Sequence, residues 1–320
     1  MDGSKTIREL YDSGLSQELQ ALESKRKEIL VRHAVSIFFI LAGILLFILS
    51  NGRAIIVASG LLSIALFIIS AVLAGKKTNA YKKDFKSNVV KKVVELIDPD
   101  WNYEPGSSIS TVEYAQSGLF PKKWDRFRGD DLIRGTIDKT DFRLSELHTE
   151  FKTDSVDGNA QSREQWSTIF KGMFAHAEFN KAISGRTFVL PDVAEKLFGK
   201  WGQKLQRNDS RGQLVKLENT AFEKYFVVYS DDQIEARYIL TPKMMEAMVD
   251  IRNQLKKKIY FSFIGSRVYI AISFSKDLFE PRILKAGVNF ADMEQIYLHL
   301  NIISVIVREM NLNTRIWTKE

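Results

Sequence analysis

Residues 34–50 read AVSIFFILAGILLFILS, and three residues later 54–74 read AIIVASGLLSIALFIISAVLA. Neither run holds a charged side chain. As helices rising 1.5 Å per residue they would span roughly 25 and 31 Å, against a hydrocarbon core of about 30 Å. Arg32 and His33 can snorkel and let the shorter run begin earlier. Asn51, Gly52 and Arg53 are turn chemistry, so the pair reads as a tight antiparallel transmembrane hairpin. A cleaved signal peptide would begin near the terminus and end in small residues, which the long polar stretch ahead of residue 34 does not fit. A soluble core helix rarely carries so long an uncharged run.

Outward from the hairpin, charge sets the orientation. Lys25, Arg26, Lys27 and Arg32 precede the first span, five lysines closely follow the second, and the turn holds only Arg53. The excess of cations on one side predicts that both termini lie in the cytoplasm. The net charge of +7 also sits here: residues 76–92 carry a net +6, while 93–320 are neutral with 32 charges of each sign. A basic face on the main domain is therefore missing, which argues against nucleic acid as a partner. Within the spans the only polar side chains are Ser36, Ser50, Ser59, Ser63 and Ser70. Proton relays and transport routes need ionisable groups at depth, so the hairpin reads as an anchor, and a homo-oligomeric channel is disfavoured. The small residues Ala42, Gly43, Ala58, Ser59 and Gly60 allow close approach of the two helices.

After the second span, Tyr81, Phe85, Val89, Val93 and Ile97 recur at steps of four, the mark of an amphipathic helix. Asp98-Pro99 ends it. Lys76, Lys77, Lys82, Lys83 and Lys86 on this stalk are candidates for contact with anionic lipid head groups; enforcing topology is an equally sufficient role. Leu19, Leu22, Ile29 and Leu30 predict a second helix in residues 1–33, broken near Gly14, packing beside the first as a stalk.

Residues 99–320 change character. Strand-like runs dominate from Leu132: LIRGTID, TDFRLSELHTEFKT, TIFKGMFAHAEFN and RTFVLPD, with alternation that is imperfect. TDSVDGNAQSREQ reads as a mobile hairpin loop. SSISTVEYAQSG reads as a short helix between loops at 101–105 and 118–131. DVAEKLFGKWGQKLQ predicts a helix capped by Asp192, and TPKMMEAMVDIRNQL one with Thr241 at the N-cap and Pro242 at the first position. IYFSFIGSRVYIAISF predicts a hairpin, and ADMEQIYLHLNIISVIVREMNL a long amphipathic helix. FEKYFVVYSDDQIEARYIL (222–240) predicts a strand, an Asp-Asp turn and a second strand. Strands mixed with helices and no regular βαβ alternation make an α+β domain with a mainly antiparallel sheet. Whether it is one domain or two stays open.

No phosphate-binding glycine loop, HExxH or GxSxG occurs. With no cysteine, disulfides, thiolate metal sites and cysteine catalysis are excluded, and a reducing compartment fits. His33, His148, His176 and His299 are isolated in sequence. Asp130-Asp131 and Asp231-Asp232 could hold a hard cation, but both fall where a turn is needed and Asp favours turns. No catalytic, cofactor-binding or metal residue is assigned. Glu223, Glu235 and Arg237 would either pair across a hairpin or line a groove for a partner.

The blocks IFKGMFAHAEFNKAISGRTFVLPD (169–192), LVKLENTAFEKYFVVYSDDQIEARYILTP (214–242) and FEPRIL (279–284), following a membrane hairpin, resemble a family of uncharacterised bacterial two-span membrane proteins. Its cytoplasmic domain is of unknown function. The resemblance covers most of residues 30–310 and implies a LemA-type membrane protein as a partner at most; it implies no catalytic residue. The expected organisation is an N-terminal cytoplasmic segment (1–33), the hairpin (34–74), a basic stalk helix (75–98) and the cytoplasmic domain (99–320). The expected role is a binding or scaffolding module at the bacterial inner membrane, touching the anionic bilayer and a membrane protein or a second copy. No cofactor is called for, and a membrane-tethered enzyme is the alternative.

Overall fold

The computed structural model describes residues 2–49, 54–156, 162–178, 183–192, 211–284 and 287–310. The chain divides into two compact units, Met1–Ile97 with Phe279–Leu298, and Asp98–Leu278 with His299–Glu320. Asp98 opens the second unit, and residues 279–298 belong with the helical one.

In the first unit, α1 (Asp2–Glu9) passes through a π-helical turn (Leu10–Gly14) into α2 (Ser16–Leu49). α3 (Ala54–Phe85) continues through a second π-turn (Lys86–Val90) into α4 (Lys91–Ile97). The expected break at Gly14 and the helical stalk are both present. Lys25 meets Asp84 at 2.6 Å, Lys77 meets Glu28 at 3.4 Å and Lys92 meets Glu18 at 2.6 Å; the pairing of rising with falling numbers makes the two long helices antiparallel. Leu22, Ile29, Tyr81, Phe85, Val89 and Val93 are buried between such pairs. Further along, Ser36 and Ser70 share a hydrogen bond of 2.8 Å. A Cβ on Gly43 would lie 3.3 Å from the Gly60 carbonyl, so the small residues do bring the backbones together.

Both helices are long and apolar enough to cross a membrane, and only 17% and 6% of their apolar windows are buried. Phe38, Leu41, Phe47, Leu61, Leu62 and Ile69 are all more than half exposed. A core helix of a water-soluble protein would bury that face. The FEPRIL segment straps the stalk: Phe279 is fully buried, Glu280 takes Lys82 at 2.9 Å and Lys86 at 3.1 Å, and Arg26 donates to the Ile283 carbonyl at 3.1 Å.

The second unit is a nine-stranded sheet in the order β1-β2-β3-β4-β9-β8-β5-β7-β6. Its strands are β1 (Asn102–Glu104), β2 (Arg126–Ile137), β3 (Thr140–Val156), β4 (Ser162–Glu178), β5 (Arg186–Pro191), β6 (Gln213–Val215), β7 (Phe226–Ser230), β8 (Ile259–Ile264) and β9 (Arg267–Ser273). Every pairing is antiparallel. One face carries Leu147, Phe170, Phe174, Phe188, Tyr269 and Ala271, packed with Tyr114 from α5 (Thr111–Gln116). Residues of opposite parity, Val189, Phe261, Phe263, Ile270 and Ile272, are buried too. Both faces are covered, which is why the strands read as near-continuous apolar runs and not as clean alternation.

Four local expectations need correction, and in the first of them residues 153–156 and 162–165, read as part of a hairpin loop, are strand, because β3 and β4 stay paired as far as Val156 and Ser162. Residues 102–104 and 126–131, read as loop, are strand, because β1 pairs with Leu132, Ile133 and Arg134 of β2, and the start of β2 pairs with β3. TAFE forms a short helix, α6 (Thr220–Glu223), capped by Asn219. QIEARYI is a helix and not a strand: α7 (Gln233–Ile239) starts where Asp232 accepts from the backbone N–H groups of Ile234 and Glu235. α8 (Pro242–Leu255) keeps its Thr241 cap and leading proline, and α9 (Phe290–Glu309) closes the chain's described part. The Asn51-Gly52-Arg53 turn, nearly all of the helix expected at 193–206 and the hairpin tip at 157–161 lie outside the described residues.

Candidate functional site

The four strands β2, β3, β4 and β9 bring one row of side chains together on the face that carries Tyr114. Arg134 lies opposite Arg143, Arg143 opposite His176, and His176 opposite Tyr269. Two arginines directly opposite each other are unfavourable unless carboxylates intervene. Glu104 on β1 bonds Arg134, and Glu113 on α5 bonds Arg143 at 2.8 Å.

Glu113 is held by local sequence. Ser110 caps α5, its hydroxyl accepting from Glu113 N–H at 3.2 Å, while Glu113 Oε2 accepts from Ser110 N–H at 2.9 Å and from its hydroxyl at 2.8 Å. This reciprocal capping box points Oε1 at Arg143 and at His176 Nε2, 3.2 Å away. Arg267 donates to His176 Nδ1 at 3.0 Å. A guanidinium can only donate, so Nδ1 carries the lone pair and the proton sits on Nε2, donated to Glu113. Both ring nitrogens are engaged. Burial, with Arg267 beside it, lowers the His176 pKa to about 4, and Glu113 only partly opposes this. Burial acts to raise the Glu113 carboxyl, but the Ser110 bonds, His176 and Arg143 outweigh it and bring it down to about 2.

A groove of about 410 Å³ opens over this row, lined among others by Asp100, Asn102, Arg134, Arg143, His176 and Arg267. Its three arginines are solvent-exposed. Arginine forks suit carboxylates and phosphates, which they grip with two parallel hydrogen bonds. Asp100, Asp141 and Glu178 line the groove too, so it presents both signs of charge. The sequence pattern carried two traces of it: the S-x-x-E capping box at 110–113, and the parity that sets His176 on the face of Phe170 and Phe174. The register that joins Arg143 to His176 was not legible.

The residues singled out from sequence lie elsewhere. Glu223 accepts from Leu217 N–H at 3.0 Å and borders a smaller groove of about 280 Å³ beside the edge strand β6. Glu235 clamps the Ser184 and Gly185 N–H groups, each at 2.8 Å. Arg237 donates to the carbonyls of Gln233 and Lys216. The three do not converge, and each is tied to backbone. Of the stalk lysines, Lys76, Lys77 and Lys83 are exposed and Lys82 is half-buried. Lys86 is 6% exposed and paired with Glu280, which corrects its expected place at a lipid surface. Asp231 pairs with Arg186 at 2.8 Å and Asp232 caps α7, so that acidic pair serves a turn. Asp130-Asp131 differs: nearby Glu146 has its carboxyl raised to about 8 by burial, partly opposed by Leu278 N–H and reinforced by Asp277, Asp130 and Asp131.

Residues 168–312 match the family model described as "Protein of unknown function (DUF3137)". The matched stretch holds β4 from Thr168 onward, the sheet's second half and α9, and so includes His176 and Arg267, while Glu113, Arg134 and Arg143 come from residues ahead of it. The matched stretch includes the three blocks quoted from sequence and begins well after residue 30, where the resemblance was expected to start. No curated protein matches the chain. The crystal structure of the mycobacterial trehalose monomycolate transport factor A, TtfA, aligns at 9% identity and a TM-score of 0.33, over 69% of this chain and 93% of that one.

Proposed function

We propose that the chain is a bacterial inner-membrane protein, anchored by the α2–α3 hairpin with both termini cytoplasmic, whose β-rich unit binds an anionic group of a partner. The arginine row supports this reading. Arg134, Arg143 and Arg267 line the groove around a histidine whose two ring nitrogens are already engaged. A general base needs a nitrogen free to take a proton; here the imidazole is held between Glu113 and Arg267. Binding is therefore favoured over proton-transfer chemistry. The exposed apolar windows of α2 and α3 favour anchoring, because water would not tolerate so large an apolar surface.

The test is photo-crosslinking in native membranes from a reactive amino acid replacing Asn102, which lines the groove. An adduct with an acidic or phosphorylated partner, weakened about tenfold by Arg267→Gln, supports the assignment. A LemA-type protein or a second copy of this chain would each count as such a partner. An adduct indifferent to Arg267, or no adduct, removes it.

A further inference from the structure

Pairing between β2 and β3 slips between Asp130 and Ile133. At this bulge Asp131 adopts φ 58°, a conformation that β-strand residues avoid. The bulge turns the Asp131 side chain inward, where it is fully buried. Tyr103 on β1 donates its hydroxyl to Asp131 Oδ1 at 2.5 Å. Opposite Asp130 in the register stands Glu146, itself 6% exposed. Its Oε2 accepts the Leu278 N–H at 2.9 Å, whereas Oε1 is buried without a hydrogen-bonding partner. One carboxylate oxygen from each of Asp130, Asp131 and Glu146 lies within 4.8 Å of the other two.

Burying like charges at this spacing is costly, and a buried oxygen left unpaired adds to the cost. A strained backbone that delivers one of these carboxylates is a further expense the fold sustains. A cation placed among the three oxygens would relieve the repulsion and satisfy the unpaired oxygen together. We propose that Asp130, Asp131 and Glu146 form a binding site for a hard divalent cation. Every donor is an oxygen, and no imidazole or sulfur is in the group. That set selects calcium, magnesium or manganese over the softer transition metals. Tyr103 fixes the Asp131 carboxylate as an outer partner orients a ligand. By strand alternation Glu146 faces away from Arg143, so the site and the arginine groove occupy opposite faces of β3 and stand or fall separately.

Terbium(III) tests this directly on the chelator-treated full chain in detergent, because the Tyr103 ring is in place to sensitise its emission. Saturable tyrosine-sensitised emission is expected, displaced by excess calcium or manganese, with apparent affinity lowered at least about tenfold in Glu146→Gln and in Asp130→Asn. Glu146→Gln keeps an acceptor for Leu278 N–H, so its fold should survive. Absence of saturable emission, or equal affinity in wild type and both variants, overturns the site. Should either variant fail to fold, the melting temperature of the wild-type chain decides: a rise with millimolar calcium, magnesium or manganese supports the proposal, and no change with any of the three overturns it.

Discussion

His176 shows how one residue can record its surroundings in a pH profile. It faces Glu113, Arg143, Arg267 and the Tyr269 ring. Its pKa falls from 6.5 to about 4, so it is neutral in both folded and unfolded chains above pH 6.5. Below that, the unfolded chain takes up a proton that the fold refuses until about pH 4. Stability conferred by this group is thus full above 6.5 and declines as pH falls, by up to about 1.4 kcal/mol per pH unit. His299, buried near Lys257, shifts to about 4 in the same sense. Glu113 acts in a lower window, its contribution present above 4.5 and lost toward pH 2. The variant His176→Gln should flatten the plot of unfolding free energy against pH between 6.5 and 4 by roughly one proton, leaving the His299 share. An unchanged slope in urea melts across that range would contradict the neutral, doubly bonded imidazole. None of this was visible in sequence, where His176 stood alone; proximity to Arg143 and Arg267 is a product of strand register, across separations of 33 and 91 in the numbering.

Elements differ in how much of themselves they announce. The hairpin, the stalk and α8 were legible because each is specified by its own residues: uncharged length, apolar steps of four, and a Thr-Pro start. α7 was misread because Ile234, Tyr238 and Ile239 resemble strand composition, and the deciding signal was the Asp232 cap, which looks the same as a turn aspartate. The sheet's antiparallel character was legible, its order was not, since β4 finds β9 across some ninety residues. The hairpin's orientation makes its own prediction, tested cleanly in a chain without cysteine. A single cysteine at position 52 should react with a membrane-impermeant reagent added outside, and one at 320 only after the membrane is breached. Reaction of position 320 from outside would reverse the topology.

Across the whole molecule, cooperative packing is uneven. The sheet's centre is buried on both faces, and the stalk is fastened by its strap. β3 and β4, however, outrun their neighbours: β2 leaves β3 at Glu150, and β9 leaves β4 at Gly172. From Phe151–Ser167 to Val156–Ser162 the two strands pair only with each other among the described residues. This two-stranded ribbon is roughly 20 Å long at the usual rise, and such ribbons are marginal by themselves. It should therefore open as a subglobal unit well below the free energy of global unfolding. In amide hydrogen exchange its protons should be replaced long before those of Phe174 or Ile270, and equal protection factors would refute that. The consequence is thermodynamic partition: most of the chain's stability is invested where the sheet is covered, while the ribbon remains a low-energy excursion that native conditions already sample.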